Sequence, residues 1–384
     1  MHPHLRALAE GDADLAGFRA LLERDGTPLI ESSGDGTACV TFVHIEDTAL
    51  DGVTLVEQVS WLPAEQRRFT QIPGTPVWWL TWELPADLRF SYHVDLLPGG
   101  PAADPTNQRP RSGDSRLRRS VAVLPEAEPL PWLDAAVAVP PTGTLHTATF
   151  ASTILGNERP VWVSTPEGWA PDGGPYPVAI VLDGEEGHLA PLVRDRLVAA
   201  GQIPPVVVVL VDEIGLRAEE MTASPGFSRA LATELVPWLR AEFALSSDPA
   251  QTVLSGSSFG GLCAGWTALH HPDVFGGALM QSPSCWHHPS TQGPVRTGEP
   301  ARIPTLVDAF RRADPAPIRI YQECGALENG PPPARIWQIF GNRWLHDVLE
   351  LKGYDTHYRE FAGGHDPAWW RGTWADGVRW LLGS

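Results

Sequence analysis

Apolar residues at Leu5, Leu8, Leu15, Phe18, Leu21 and Leu22 follow a helical spacing that Gly11 and Asp12 interrupt. The pattern predicts one broken helix or two short ones over residues 5–24. The period then changes. Residues 37–44, 54–59, 77–83 and 90–97 are short runs rich in Val, Trp, Tyr and Thr, punctuated by Gly, Pro and Asp. Strands at such intervals predict a small all-β, immunoglobulin-like sandwich. The proline-rich stretch 125–142 cannot sustain a ladder of backbone hydrogen bonds and predicts a stiff, extended linker. The domain boundary is placed there, with a sandwich over residues 1–124 and a second domain over 143–384.

Beyond the linker, continuous apolar runs at 178–182, 206–211, 252–255, 277–281, 318–322 and 356–361 alternate with helical stretches such as 229–243 and 334–352. Strands apolar on both faces belong to a parallel sheet covered by helices. The second domain is therefore expected to be α/β, a doubly wound and mostly parallel sheet. Residues 145–153 and 160–165, around Gly156-Asn157, predict a hairpin that adds antiparallel strands at one edge.

Charge and cysteine usage narrow the function. The 384 residues include 28 Lys+Arg and 46 Asp+Glu, a formal net charge of -18. That sign disfavours nucleic acid and anionic membrane surfaces as partners. Cys39, Cys263, Cys285 and Cys324 stand far apart without metal-ligand spacing, so neither a metal site nor a disulfide framework is expected. The first residues lack the basic start and apolar core of a signal peptide, and no segment reaches the roughly 18 apolar residues of a membrane span. A cytoplasmic protein is expected.

The chemistry centres on Gly256-Ser257-Ser258-Phe259-Gly260, a GxSxG between the strand at 252–255 and the helical stretch 261–271. Strand, sharp turn and helix are the setting of a nucleophile elbow, which points to an α/β-hydrolase fold with Ser258 as nucleophile. A serine hydroxyl needs an imidazole as base and a carboxylate to orient that imidazole. His365, in the glycine-rich loop after the last predicted strand, is the expected base. Glu328, in the loop after the strand at 318–322, is the expected acid. The oxyanion hole is expected to use the backbone N–H of Phe259 and a second N–H from Gly184 or Glu185, after the strand at 178–182.

Further motifs fall in order along the chain. They are Ile72-Pro73-Gly74-Thr75-Pro76-Val77-Trp78-Trp79, Phe90-Ser91-Tyr92 and Asp104-Pro105-Thr106-Asn107 in the first domain. In the second they are Leu182-Asp183-Gly184, Arg217-Ala218-Glu219-Glu220, Glu234-Leu235-Val236-Pro237-Trp238, Gln281-Ser282-Pro283-Ser284-Cys285-Trp286 and Gly364-His365-Asp366 with Trp370-Arg371. With the GxSxG they resemble the enterochelin esterases, cytoplasmic hydrolases of ferric catecholate siderophores, over almost the whole chain.

That resemblance implies hydrolysis of the ester bonds of a cyclic trilactone with catecholamide arms, ferric or apo, enterobactin- or bacillibactin-like. It implies no metal or organic cofactor, because iron arrives with the substrate. Ser258 and His365 match the family's nucleophile and base, and Glu328 falls where its acid is expected. Trp286 and Trp370 lie in matching motifs and are expected to contact substrate. An anionic catecholate must find local cations on so acidic a protein, and Arg217 and Arg371 are the candidates. The tryptophan-rich first domain, with Trp78, Trp79 and Trp82, is expected to cover the active-site mouth. A related serine hydrolase or cyclising thioesterase on another natural-product lactone or peptide ester would keep the same triad. A catalytically inactive binding protein would have lost a member of it.

Overall fold

The computed structural model describes residues 1–59, 64–108, 119–134, 141–184, 189–289, 302–328 and 338–383. They divide into two compact units, Met1–Pro129 with Ala362–Trp369, and Leu130–Phe361 with Trp370–Ser384.

In the first unit the broken helical pattern is two helices, α1 (Pro3–Glu10) and α2 (Leu15–Asp25). Gly11 closes α1 at φ 82°, a left-handed conformation that glycine adopts without a Cβ penalty. The Asp14 carboxylate then caps α2 by accepting from the Gly17 N–H at 2.7 Å. Eight strands follow: β1 (Leu29–Ser32), β2 (Thr37–Ile45), β3 (Gly52–Glu57), β4 (Thr70–Gln71), β5 (Val77–Pro85), β6 (Arg89–Leu97), β7 (Gly100–Ala102) and β8 (Ser120–Val123). They form two antiparallel sheets, β1-β2-β5-β4 and β3-β6-β7 with β8 also on β6. Phe42 on β2 meets Tyr92 on β6 edge-on at 5.0 Å, which joins the two sheets as a sandwich. Trp78 and Trp82 are each 8% exposed, so both serve this unit's interior. The Asp-Pro-Thr-Asn stretch is a latch: Asp104 accepts from the Tyr92 hydroxyl at 2.7 Å, and Asn107 donates to the carbonyls of Thr27 and Val121.

The segment Ala362–Trp369 is built into this unit by its own polar contacts. The buried Asp366 carboxylate accepts from the N–H groups of Ser91 (2.5 Å) and Ala368 (2.8 Å), and the Trp369 indole donates to Arg89 O at 2.8 Å.

The second unit opens with a single helical turn, α3 (Pro131–Asp134), inside the stretch expected to be extended. Proline fits here because the first turn of a helix needs no N–H from it. Its strands are β9 (Thr144–Ser152), β10 (Asn157–Thr165), β11 (Val178–Leu182), β12 (Val207–Val211), β13 (Thr252–Ser257), β14 (Gly277–Gln281), β15 (Arg319–Gly325) and β16 (Asp355–Phe361). One eight-stranded sheet runs β16-β15-β14-β13-β11-β12-β10-β9. It is parallel from β16 to β12 and antiparallel at β10 and β9, the expected doubly wound sheet with its edge hairpin. The apolar runs have a direct cause. Val178, Ile180 and Leu182 enter one buried cluster while Ala179 and Val181 enter another, so both faces of β11 are covered.

The α-helices of this unit are α4 (Ala190–Ala199), α5 (Arg217–Glu220), α6 (Pro225–Ala230), α7 (Val236–Phe243), α8 (Phe259–His270), α9 (Thr305–Arg312), α10 (Gln338–Lys352) and, in continuation of the Ala362–Trp369 segment, α11 (Pro367–Leu382). The helix expected over 229–243 begins earlier, and Leu231–Leu235 forms a π turn between α6 and α7. Pro237 has no N–H for the turn before it, and the wider turn accommodates that loss. Glu234, on the π turn, accepts from Ser152 Oγ and from the N–H groups of Thr153 and Ile154, holding the β9–β10 hairpin turn. Among the described residues no helix is long and apolar enough to cross a membrane.

Candidate active site

Three neighbouring strands end alike. Asp183 after β11, Ser258 after β13 and Ser282 after β14 are non-glycine residues at φ 58°, 57° and 44°. A left-handed backbone on such residues costs energy and persists where packing over-determines it, commonly at functional sites.

At the elbow, Ser258 stands between β13 and α8, and its N–H donates to Gln281 O at 2.9 Å. The surrounding glycines are steric necessities. A Cβ on Gly256 would lie 2.5 Å from the Gly260 carbonyl carbon, and one on Gly260 would lie 2.7 Å from Asp183 Oδ2. No side chain fits at either place, which is the physical content of the GxSxG pattern. Phe259 is the first residue of α8, where an N–H has no intrahelical acceptor and the helix end attracts negative charge. The Gly184 N–H, by contrast, donates to Val211 O at 3.0 Å and is already engaged. A Cβ on Gly184 would lie 3.1 Å from that same carbonyl, so this glycine serves close packing on β12 and not the expected oxyanion contact. Glu185 lies outside the described residues.

Asp183 explains Arg217. The guanidinium donates to Asp183 Oδ1 (2.6 Å) and Oδ2 (2.9 Å) and to Ser257 O (3.1 Å), and its carbon lies 5.5 Å from the Phe259 ring centre. A bidentate arginine thus ties the loop after β11 to the residue before the nucleophile. Glu220, a nearer acid in sequence, belongs instead to the buried Arg159, at 2.6 and 2.8 Å.

Aromatic side chains flank the elbow. Phe259, Trp286 and His287 have ring centres 5.9–6.1 Å apart, and Trp286 is half-buried. Burial, with His288 adding to it, lowers the His287 pKa and favours the neutral imidazole.

Glu328 is buried at 2% exposure and accepts from Ser282 Oγ (2.5 Å) and the Gly325 N–H (2.8 Å). The Trp370 indole N–H donates to the same Ser282 oxygen at 3.0 Å. The side chains of Trp370 and Arg371 are buried, at 6% and 7% exposure. His365 is half-buried in Ala362–Trp369. Ser282 and Ser284 both sit in the Gln281–Trp286 motif, but a serine outside a GxSxG carries no chemical signal in the sequence by itself. Among the described residues no group of three or more His, Cys, Asp or Glu could hold a metal ion.

The profile of the Esterase family matches residues 152–381. The chain belongs to this esterase family. It is 30% identical to the iron(III) enterobactin esterase of Dickeya dadantii (strain 3937), over 94% of this chain and 91% of that one. It is 29% identical to the iron(III) salmochelin esterase of Escherichia coli O6:H1, over 97% and 94%. Among solved structures, the enterobactin esterase of Shigella flexneri in the presence of 2,3-di-hydroxy-N-benzoyl-glycine superposes with a TM-score of 0.79 at 26% identity, covering 94% of this esterase and 98% of that chain. The same Shigella enzyme in the presence of enterobactin gives 0.78 at 25% identity, over 93% and 96%.

Proposed function

We propose that this carboxylic ester hydrolase is a serine esterase that cleaves the ester bonds of a catecholate trilactone siderophore, releasing its iron in the cytoplasm. The observation that carries the reading is the strained Ser258 elbow, in a chain similar over nine-tenths of its length to an esterase named for iron(III) enterobactin.

Ser258 Oγ attacks the ester carbonyl while its proton passes to His365. The oxyanion that forms accepts from the Phe259 N–H at the positive end of α8. Collapse of the tetrahedral intermediate breaks the bond to the substrate's alkoxide, which leaves with the proton from His365. Water then repeats the sequence on the acyl-enzyme and frees the carboxylate. Glu328, fixed by Ser282 and Gly325, holds the imidazole in the tautomer that accepts the proton. Trp286 and Phe259 offer faces on which a catechol ring can stack, with the Arg217 cation close by.

The test is mass spectrometry of products from catecholate trilactones, with and without iron. Linear trimers, dimers and monomers are expected from the wild-type chain, and Ser258→Ala should lose at least about a thousandfold in turnover. Near-wild-type cleavage by Ser258→Ala would overturn the reading.

A further inference from the structure

We propose that Ser284 is a catalytic residue whose hydroxyl donates a hydrogen bond to Ser258 Oγ during ester cleavage. The proposal rests on the reading of Ser258 as nucleophile and His365 as base. Ser284 touches the nucleophile twice. Its N–H donates to Ser258 O at 3.0 Å, and its Oγ lies 3.3 Å from Ser258 Oγ. The side chain is 1% exposed, so water does not compete for it.

The loop that carries Ser284 is fixed by polar groups on α10. Gln338 Nε2 donates to Ser282 O (2.5 Å) and Pro283 O (2.9 Å), and Asn342 Nδ2 donates to Pro283 O at 3.0 Å. Gly341 lets α10 approach so closely that a Cβ there would lie 2.4 Å from Cys285 O. The His287 N–H donates to Ser284 O at 3.0 Å. These contacts hold the hydroxyl before substrate arrives, which is what a preorganised donor requires.

Direction follows from the protons. The Ser258 proton is committed to the base, so the contact between the two oxygens can persist only with Ser284 as donor. At 3.3 Å it is longer than the about 2.7–2.8 Å of a strong O–H···O bond. It gains strength as Ser258 Oγ gains negative charge, and so favours the transition state over the ground state. The same oxygen is the leaving group when the acyl-enzyme breaks down, and the bond assists that step too. Ser284 keeps its own proton throughout, and the transferred proton moves only between Ser258, His365 and the substrate.

The experiment compares full-length wild type, Ser284→Ala, Ser284→Cys and Ser258→Ala by the rate of covalent labelling with a fluorophosphonate and by steady-state hydrolysis of p-nitrophenyl acetate. Ser284→Ala should lower both the labelling rate and kcat about tenfold with KM unchanged, the loss of one hydrogen bond. Ser284→Cys, of similar volume but a weaker donor, should fall between the two; if Ser284→Ala does not fold, a kcat loss with unchanged KM in Ser284→Cys carries the test. Wild-type labelling and kcat in folded Ser284→Ala, or a change confined to KM, would overturn the proposal while an inactive Ser258→Ala leaves the nucleophile in place. An active, unlabelled Ser258→Ala would overturn the nucleophile itself.

Discussion

Arg217 was expected from its position to meet an anionic substrate, yet its strongest partner is Asp183, itself 6% exposed and left-handed at φ 58°. Removing one partner of such a pair leaves the other carboxylate buried and uncompensated. Arg217→Ala should therefore lower kcat/KM on a neutral p-nitrophenyl ester and on a catecholate trilactone in parallel, and lower stability by about 2 kcal/mol in urea titrations. A KM rise confined to the trilactone would assign the guanidinium to substrate alone. Ser282 invites a sharper test, because its oxygen receives the Trp370 N–H and donates to Glu328. Ser282→Ala should cost about tenfold in kcat by loosening the acid. Trp370→Phe removes the indole N–H but retains an aromatic ring, and should cost less in kcat than Ser282→Ala, with KM unchanged. Gly260→Ala should destabilise the fold by about 2 kcal/mol or more, because Asp183 Oδ2, 2.7 Å from the new methyl, is tied to Arg217 and cannot swing away.

β15 runs to Gly325, past the expected end at residue 322, and so carries Glu323 into the interior. Glu323 is fully buried, accepts from Gln281 Nε2 (2.8 Å) and Thr373 Oγ1 (2.5 Å), and burial raises its pKa from 4.5 to about 7. The folded state thus keeps a proton that the unfolded chain has released, and stability from this group, full below pH 4.5, is lost as pH rises through about 7. Urea titrations at pH 5 and pH 8 should show wild type losing about 2–3 kcal/mol more than Glu323→Gln over that interval. Equal losses in the two proteins would mean that Glu323 is ionised in the fold at both values. Strands such as Val178–Leu182 and Gly277–Gln281 were legible to the residue because both faces are apolar, and the elbow because its glycines are obligatory. Glu323, Ser282 and Ser284 were not marked as functional, since a polar side chain acquires its role only when distant strands meet around it. The Asp183–Arg217 pair spans 34 positions and leaves no periodic trace, and the engagement of the Gly184 N–H by Val211 O follows from strand pairing that residue types do not reveal.

A first domain that only covers the active-site mouth would leave a chain lacking it active on small esters. The contacts of the first unit argue for a larger role, because that unit includes Ala362–Trp369 and therefore His365. Asp366, next to the proposed base, is held by the Ser91 N–H on β6, and Trp369 by Arg89 O on the same strand. Gly364 sits so close to this unit's backbone that a Cβ would lie 1.8 Å from Gln58 O. Deleting residues 1–129 removes these three anchors and leaves the segment held through its continuation into β16 and α11. The expected outcome is loss of activity on p-nitrophenyl esters and trilactones alike. Since a shortened chain could fail simply by unfolding, Asp366→Ala in the full chain is the cleaner measurement. It removes the acceptor of two backbone N–H groups and leaves β6 intact, so kcat should fall by roughly tenfold or more on both substrates. A drop restricted to the trilactone would return the first unit to a covering role, and unchanged kcat on both would show that His365 keeps its place without Asp366.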